Sequence, residues 1–331
     1  MLECDYSVAG HVLRLATSGD LAFQLSAAYM RSCRFASTEC RPQKAETGLR
    51  IHSDCPAPPL PETDSVFPLP PGRWHLTAME QYFEVGDSLV RVRPAAWPPV
   101  DVWIGKSPQA CRRQSLLYLM VHAVHSSLRR CGLYVLHGAG LALPRTSTGL
   151  IIAGASGSGK STLTLRLARS GWHYLSDDSV LLYDTPSGVT ACGLRRPFGV
   201  SDSTVAALGW PRLRGSLAAP VLDDPNKYWL YPDDLFPGQA ASSMRPAVLL
   251  FPALTGEQHS VLDEIRPAEA LSRLIRACPW AGGYDVNHGH GYLRVLGQLA
   301  RQVRSYQLMA GTDLLERPGR ATELLAPLLE G

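Results

Sequence analysis

The sequence lacks the features that mark several protein classes. It has no uninterrupted apolar run long enough to cross a bilayer, so no membrane partner is expected. It has no C-x-x-C pair. Its eight cysteines are scattered at 4, 33, 40, 55, 111, 131, 192 and 278, without zinc or redox spacing. It has no strong charge excess either: 32 basic and 29 acidic residues leave +3, too little to imply nucleic acid or an acidic membrane surface. The pairs Arg112-Arg113, Arg129-Arg130 and Arg195-Arg196 stand isolated. There are no internal repeats. The start, Met1-Leu-Glu-Cys-Asp5, carries two acids and no following apolar run, unlike a signal peptide. A cytoplasmic location with reduced thiols is the expectation.

What is present points to phosphate. Gly154-Ala155-Ser156-Gly157-Ser158-Gly159-Lys160-Ser161 fits G-x-x-x-x-G-K-[ST]. Leu150–Ala153 before it reads as a short buried strand, and 161–169 after it as a helix that ends at Gly171. Strand, glycine loop and helix are the context that the motif needs. The glycines let successive N–H groups turn inward, and the helix start adds its own unpaired donors and positive dipole end. Lys160 would reach the β and γ phosphates, the Ser161 hydroxyl would ligate Mg²⁺, and the Thr162 hydroxyl would lie near the α phosphate.

The length of 331 residues suggests two domains or one large one. Residues 1 to about 52 read as short strands, including the partly alternating Leu21–Leu25. Seven prolines between Pro56 and Pro71 exclude helix and central strand there. That stretch reads as an extended surface connection, with a proline-motif ligand for a partner domain as the other reading. Strand-like pieces resume from Trp74 to Val92. A boundary helix over about 108–130 follows, starting at Ser107-Pro108, with Leu116, Leu117, Met120, Val121, Val124 and Leu128 near one face. His122 and His125 on it have no evident third ligand and read as surface or core filling. The expected division is therefore a smaller α+β region over 1–128 and a P-loop domain over 129–331. Tyr134–Leu143 reads as two strands joined or bent at the glycines, feeding the P-loop strand. His288-Gly-His-Gly291 reads as a glycine-rich turn, and 320–329 as a closing helix.

Asp177-Asp178 come seventeen and eighteen residues after Lys160, enough chain for one helix to return beside the P-loop strand. A carboxylate there can hold Mg²⁺ or take a proton from an attacking hydroxyl, and two adjacent acids allow the jobs to be divided.

Leu136-His137-Gly138, then Gly154–Ser161, then Leu175-Ser-Asp-Asp178 form a combination that resembles the HPr kinase/phosphorylase family. Its catalytic domain has an I-H-G-type strand, G-x-S-G-x-G-K-S, and a strand ending in Asp-Asp. The resemblance implies an α/β fold: a β-rich P-loop kinase domain similar to that of HPr kinase and phosphoenolpyruvate carboxykinase. It implies Asp177 as general base, His137 beside it, and Asp178 helping with metal and nucleotide. The later segments look like HPr-kinase-related proteins of peptide-modification clusters, among them lasso-peptide tailoring kinases that phosphorylate a precursor serine. The P-G-R-N signature of the bifunctional members is missing from the region after the acids. Arg317-Pro-Gly-Arg320 comes too late to supply it, which speaks against phosphorylase activity and against HPr as the substrate.

The expected activity is thus ATP- and Mg²⁺-dependent phosphorylation of a serine in a peptide or small-protein acceptor. GTP stays open, because no base-contacting motif is legible. A small-molecule kinase and a non-catalytic nucleotide-sensing module that regulates a partner are the alternatives. Lys227 and, second to it, Arg196 are candidate extra phosphate contacts. The family's ring-like assemblies make a homo-oligomer a further expectation.

Overall fold

A computed structural model describes residues 1–33, 36–37, 45–194, 197–221, 224–278 and 286–330. The chain divides into two compact units, one formed mainly by Met1–Leu133 and the other by most of the residues from Tyr134 onward. Among the described residues, no helix is long and apolar enough to cross a membrane.

In the first unit, β1 (Leu2–Val8), β2 (His11–Ser18), helix α1 (Asp20–Cys33), β3 (Ala36–Ser37) and β4 (Thr47–His52) are followed by β5 (Ser65–Leu69), β6 (Gly72–Leu76), β7 (Gln81–Val85), β8 (Ser88–Val92), β9 (Val100–Trp103) and α2 (Arg113–Arg129). The strands form one nine-stranded sheet in the order β3-β1-β2-β4-β9-β8-β7-β6-β5. Leu13, Leu15, Leu49, Ile51, Val90, Val100 and Val102 are buried on one face, and the alternation that buries them turns the intervening residues to the other. Pro68 lies in β5, the edge strand, where its missing N–H breaks no interior ladder.

Two readings of this unit change. Leu21–Leu25 is not a strand but the first part of α1. Ala22, Ser26, Tyr29, Met30 and Cys33 are its buried residues and recur at helical intervals. A five-residue window is too short to separate the two periods. The boundary helix begins at Arg113, not near 108. Ser107 Oγ accepts the Ala110 N–H at 3.2 Å, and Cys111 N–H donates to the Ser107 carbonyl at 3.0 Å. This closes a separate turn, and Arg112 is then extended at φ −62°, ψ 136°.

His122 on α2 fills the core, with its ring 4.1 Å from Phe83 and 5.2 Å from Trp74. Burial pushes its pKa down from 6.5 to about 3, helped by the Arg129 charge. The folded state therefore excludes a proton that the unfolded chain binds. The stability tied to the neutral ring is complete above about pH 6.5 and falls by about 1.4 kcal/mol per pH unit as the pH drops toward 3. Urea unfolding at pH 7 and pH 5 should show this loss, and His122→Phe should flatten it.

In the second unit, β10 (Tyr134–Ala142), β11 (Thr148–Ala153), α3 (Lys160–Arg169), β12 (His173–Ser176), β13 (Ser179–Thr185) and β14 (Gly188–Gly193) precede a subsidiary group. That group holds β15 (Phe198–Ser201), α4 (Asp202–Leu208), α5 (Pro211–Gly215), β16 (Leu217–Val221), β17 (Asp224–Leu230) and α6 (Pro232–Leu235). The chain continues through β18 (Ser243–Leu254), β19 (Val261–Ile265), α7 (Pro267–Ala277), α8 (Val286–Gln302), β20 (Arg304–Ala310), α9 (Asp313–Glu316), α10 (Arg320–Leu325) and α11 (Pro327–Glu330). The main sheet runs β11-β10-β13-β14-β18-β20-β19, with β12 also on β10 and β11 also on β18. A three-stranded sheet, β15-β17-β16, stands apart.

Helix α3 has two buried faces. Leu163 and Leu167 join Ile152, Val248 and Leu308 in one core cluster. Leu165 and Ala168 join Phe198, Val200 and Leu230 in another. The P-loop helix is thereby held between the main sheet and the small one.

Three expectations for this unit are corrected. Residues 134–142 form one continuous strand. Gly138 and Gly140 serve close approach instead of a bend: a Cβ on Gly138 would lie 2.7 Å from the Ile152 carbonyl oxygen, and one on Gly140 3.0 Å from Val180. His288–Gly291 is not a turn but part of α8. The closing helix is two short ones, broken before Pro327, whose ring cannot continue the backbone ladder.

Candidate active site

The geometry follows from β10. Its first half, Tyr134–His137, pairs with β13, and its second half, Gly140–Ala142, pairs with β12. Asp177 and Asp178 connect these two partner strands, so they sit beside the middle of β10. There the Gly138 N–H donates to the Asp178 carbonyl at 2.9 Å. Gly138 also pairs with Ala153, the last residue of the P-loop strand. One stretch of β10 thus fixes His137, the acid pair and the entry to the phosphate loop in one place. Gly138→Ala would push against the Ile152 carbonyl, which belongs to backbone and cannot swing aside. Urea unfolding should show a loss of about 1–3 kcal/mol.

The loop has the conformation that its glycines suggest. Gly157 and Gly159 take φ of 81° and 96°, left-handed values that side chains resist. Ala155, Ser156 and Gly157 form the exposed tip. Lys160 is 7% exposed, and its Nζ donates to the carbonyls of Gly154 and Ala155 at 2.8 and 2.9 Å. Burial lowers its pKa, and the charges of Asp178 and Asp177 oppose that shift. Lys227, on β17, lies near enough for its charge to push in the same direction as burial.

The two acids face different groups. Asp177 is 3% exposed and accepts the Ser161 hydroxyl at 3.1 Å. Asp178 has a 46% exposed side chain, lies 3.3 Å from His137 Nδ1, and accepts the Ser179 hydroxyl at 2.9 Å. Ser176 Oγ closes the turn by accepting the N–H groups of Asp178 and Ser179, at 3.3 and 3.1 Å. The Thr162 hydroxyl meets that of Thr204 on α4 at 3.1 Å.

These residues fit a nucleoside phosphate with a hard divalent cation. A hydroxyl and a buried carboxylate 3.1 Å apart are an oxygen donor pair of the kind that Mg²⁺ prefers. The buried Ser158 Oγ, inside the loop, has no hydrogen-bond partner.

His137, the loop over 154–161, Asp177 and Asp178 come together, and Lys227 is within electrostatic reach. Arg196 lies outside the described residues. Arg317-Pro-Gly-Arg320 is engaged locally: Arg320 Nε donates to Asp313 at 3.0 Å, and Arg317 pairs with Glu323 at 3.5 Å. Sequence reasoning missed Ser176, Ser179 and Thr204. The first two had a readable signal, since serine on both sides of an acid pair favours a side-chain-closed turn. Thr204 had none.

No protein-family model and no curated protein matches the chain. Among solved structures, it is similar to the HPr(Ser) kinase/phosphatase from Coxiella burnetii, with 13% identity over 59% of this chain and 87% of that one, and a TM-score of 0.27. A likeness at that score carries no weight for fold or activity.

Proposed function

We propose that the protein is an ATP- and Mg²⁺-dependent P-loop kinase of the HPr-kinase-like type, which phosphorylates a serine hydroxyl of a peptide or small protein. The observation that carries this reading is the opposite orientation of two adjacent carboxylates at the P-loop. Asp177 faces inward to Ser161, and Asp178 faces outward to His137.

That orientation favours a division of labour different from the one the family resemblance implies. Asp177, buried and paired with the P-loop hydroxyl, is the acid suited to hold the cation together with Ser161. Asp178, half exposed and beside an imidazole, is the acid that an acceptor hydroxyl can reach. When bound, Mg-ATP supplies the transferable phosphoryl group and neutralises its charge. The inward N–H groups of the loop and the Lys160 ammonium orient the phosphates, and Lys227 adds positive charge. Asp178 takes the proton of the acceptor hydroxyl as that oxygen bonds to the γ-phosphorus and ADP departs with the bridging oxygen. His137 positions the Asp178 carboxylate through their 3.3 Å contact.

Mass spectrometry tests the reading. A serine-containing peptide incubated with the protein and Mg-ATP should gain one phosphate, and its Ser→Ala counterpart should gain none. Turnover with metabolites alone would favour a small-molecule kinase. Tight nucleotide binding with no transfer to any acceptor would favour a sensor.

A further inference from the structure

A second cluster of chemistry lies in the first unit, on the sheet face opposite the buried aliphatic residues. Register places Arg50, Asp101 and Arg91 side by side on adjacent strands β4, β9 and β8. Arg93 Nη2 donates to Asp101 Oδ2 at 2.5 Å and Arg91 Nη2 to the same oxygen at 3.2 Å, while Arg50 Nη1 lies 3.8 Å from Oδ1. Three guanidinium groups thus share one buried carboxylate, and Glu80, which accepts the hydroxyl of Tyr82 beside Arg91 and Arg93, offsets one of the two charges left over. Their side chains are 35%, 24% and 28% exposed for Arg50, Arg91 and Arg93.

The donors are in excess as well. A guanidinium offers about five N–H bonds and a carboxylate about four acceptor sites. The Nε atoms of all three arginines are buried without a hydrogen-bond partner. Elsewhere on the same face Arg14 shows the satisfied arrangement, with two 2.8 Å bonds to Asp5 alone. His52 adds no further positive charge, because burial lowers its pKa and favours the neutral ring. Its nearest Asp101 oxygen is 4.0 Å away.

Two aromatic residues flank the cluster, the buried Trp103 and the exposed Trp97. Arg91 stacks over Trp103 at 5.0 Å, which holds its guanidinium in place. Trp97 is 52% exposed and lies over Gly48, where an added Cβ would meet its ring at 3.6 Å. Gly48 and Arg50 point to the same face, roughly 7 Å apart along the strand. Cations beside an open apolar ring suit a ligand that carries both carboxylate and apolar groups. Inorganic phosphate would use only the guanidinium groups.

We propose that this face binds an acidic peptide segment, whose carboxylates pair with Arg50, Arg91 and Arg93 and whose apolar residues rest on Trp97. Identification of that segment as part of the phosphorylated acceptor rests on the kinase reading; the binding does not.

Fluorescence anisotropy with the full chain, without nucleotide, tests the proposal. The probe is a short labelled peptide rich in Glu and Leu with one Ser. It should bind at least about tenfold more tightly than its Gln counterpart, and added salt should weaken it. Arg50→Gln leaves the Arg91 and Arg93 bonds to Asp101 in place and should weaken binding about tenfold. Trp97→Ala, outside the ion network, should weaken it several-fold. Equal binding of the Gln peptide, unchanged affinity in both variants, or displacement by inorganic phosphate at matched ionic strength would each overturn the proposal. Phosphorylation of acidic and neutral peptides at equal rates would leave the kinase reading intact and remove this surface from acceptor recognition.

Discussion

Lys160→Ala should reduce phosphoryl transfer by about 10²–10³-fold, the usual effect of removing one preorganised donor from a developing anion. Lys160 sits at the start of α3, nearly buried, with its ammonium held against the Gly154 and Ala155 carbonyls. Those carbonyls belong to the loop that fits the phosphate-binding motif, so the ammonium lies within that loop. Alanine removes the charge and leaves Asp177 and Asp178 without the cation that opposes them. The core contacts of α3 run through Leu163, Leu165 and Leu167, so the fold should survive. A steady-state transfer assay beside circular dichroism checks both parts. A folded variant with wild-type turnover would remove Lys160 from the mechanism.

The two acids should fail in different ways. Asp178→Asn should lower the turnover number by about 10²–10⁴-fold, the range for a lost general base, with nucleotide affinity little changed. Asp177→Asn should raise the Mg²⁺ concentration needed for half-maximal activity and weaken Mg-ATP binding, because its carboxylate faces Ser161 and not the mouth of the site. His137→Asn should cost less than Asp178→Asn and alter the pH profile, since it acts through Asp178. Calorimetric titration of Mg-ATP alongside rate measurements separates these effects. A raised Mg²⁺ requirement in Asp178→Asn, with Asp177→Asn affecting turnover alone, would restore the division of roles that the family resemblance implies.

The local parts of the site were legible in the sequence. The strand over 148–153, the loop and the helix from Lys160 are contiguous, and their glycine spacing carries its own geometric reason. The closeness of Asp177-Asp178 also followed, since one helix returns the chain to the sheet. The division between the acids was not legible, because adjacent residues point to opposite sides only once β12 and β13 are both paired to β10. The continuity of β10 was hidden for a related reason. Glycine reads as a break in one dimension, whereas Gly138 and Gly140 mark where Ile152 and Val180 press close. In α1 the five residues 21–25 alternate by chance, and the helical period shows only over the full element. Arg50, Arg91 and Asp101 lie on three different strands, β4, β8 and β9, so strand order and register alone bring them together. A formal charge near zero concealed that cationic face, because the balance of a whole chain says nothing of where its charges stand.

The central claim is that this P-loop moves a phosphoryl group to a hydroxyl. ATP labelled at the γ-phosphoryl group, incubated with the protein, Mg²⁺ and a serine peptide, tests it most directly. Label should appear on the peptide serine in step with ADP formation and should vanish in Lys160→Ala. Label recovered only as free phosphate, or retained wholly on ATP with every peptide tried, would contradict it.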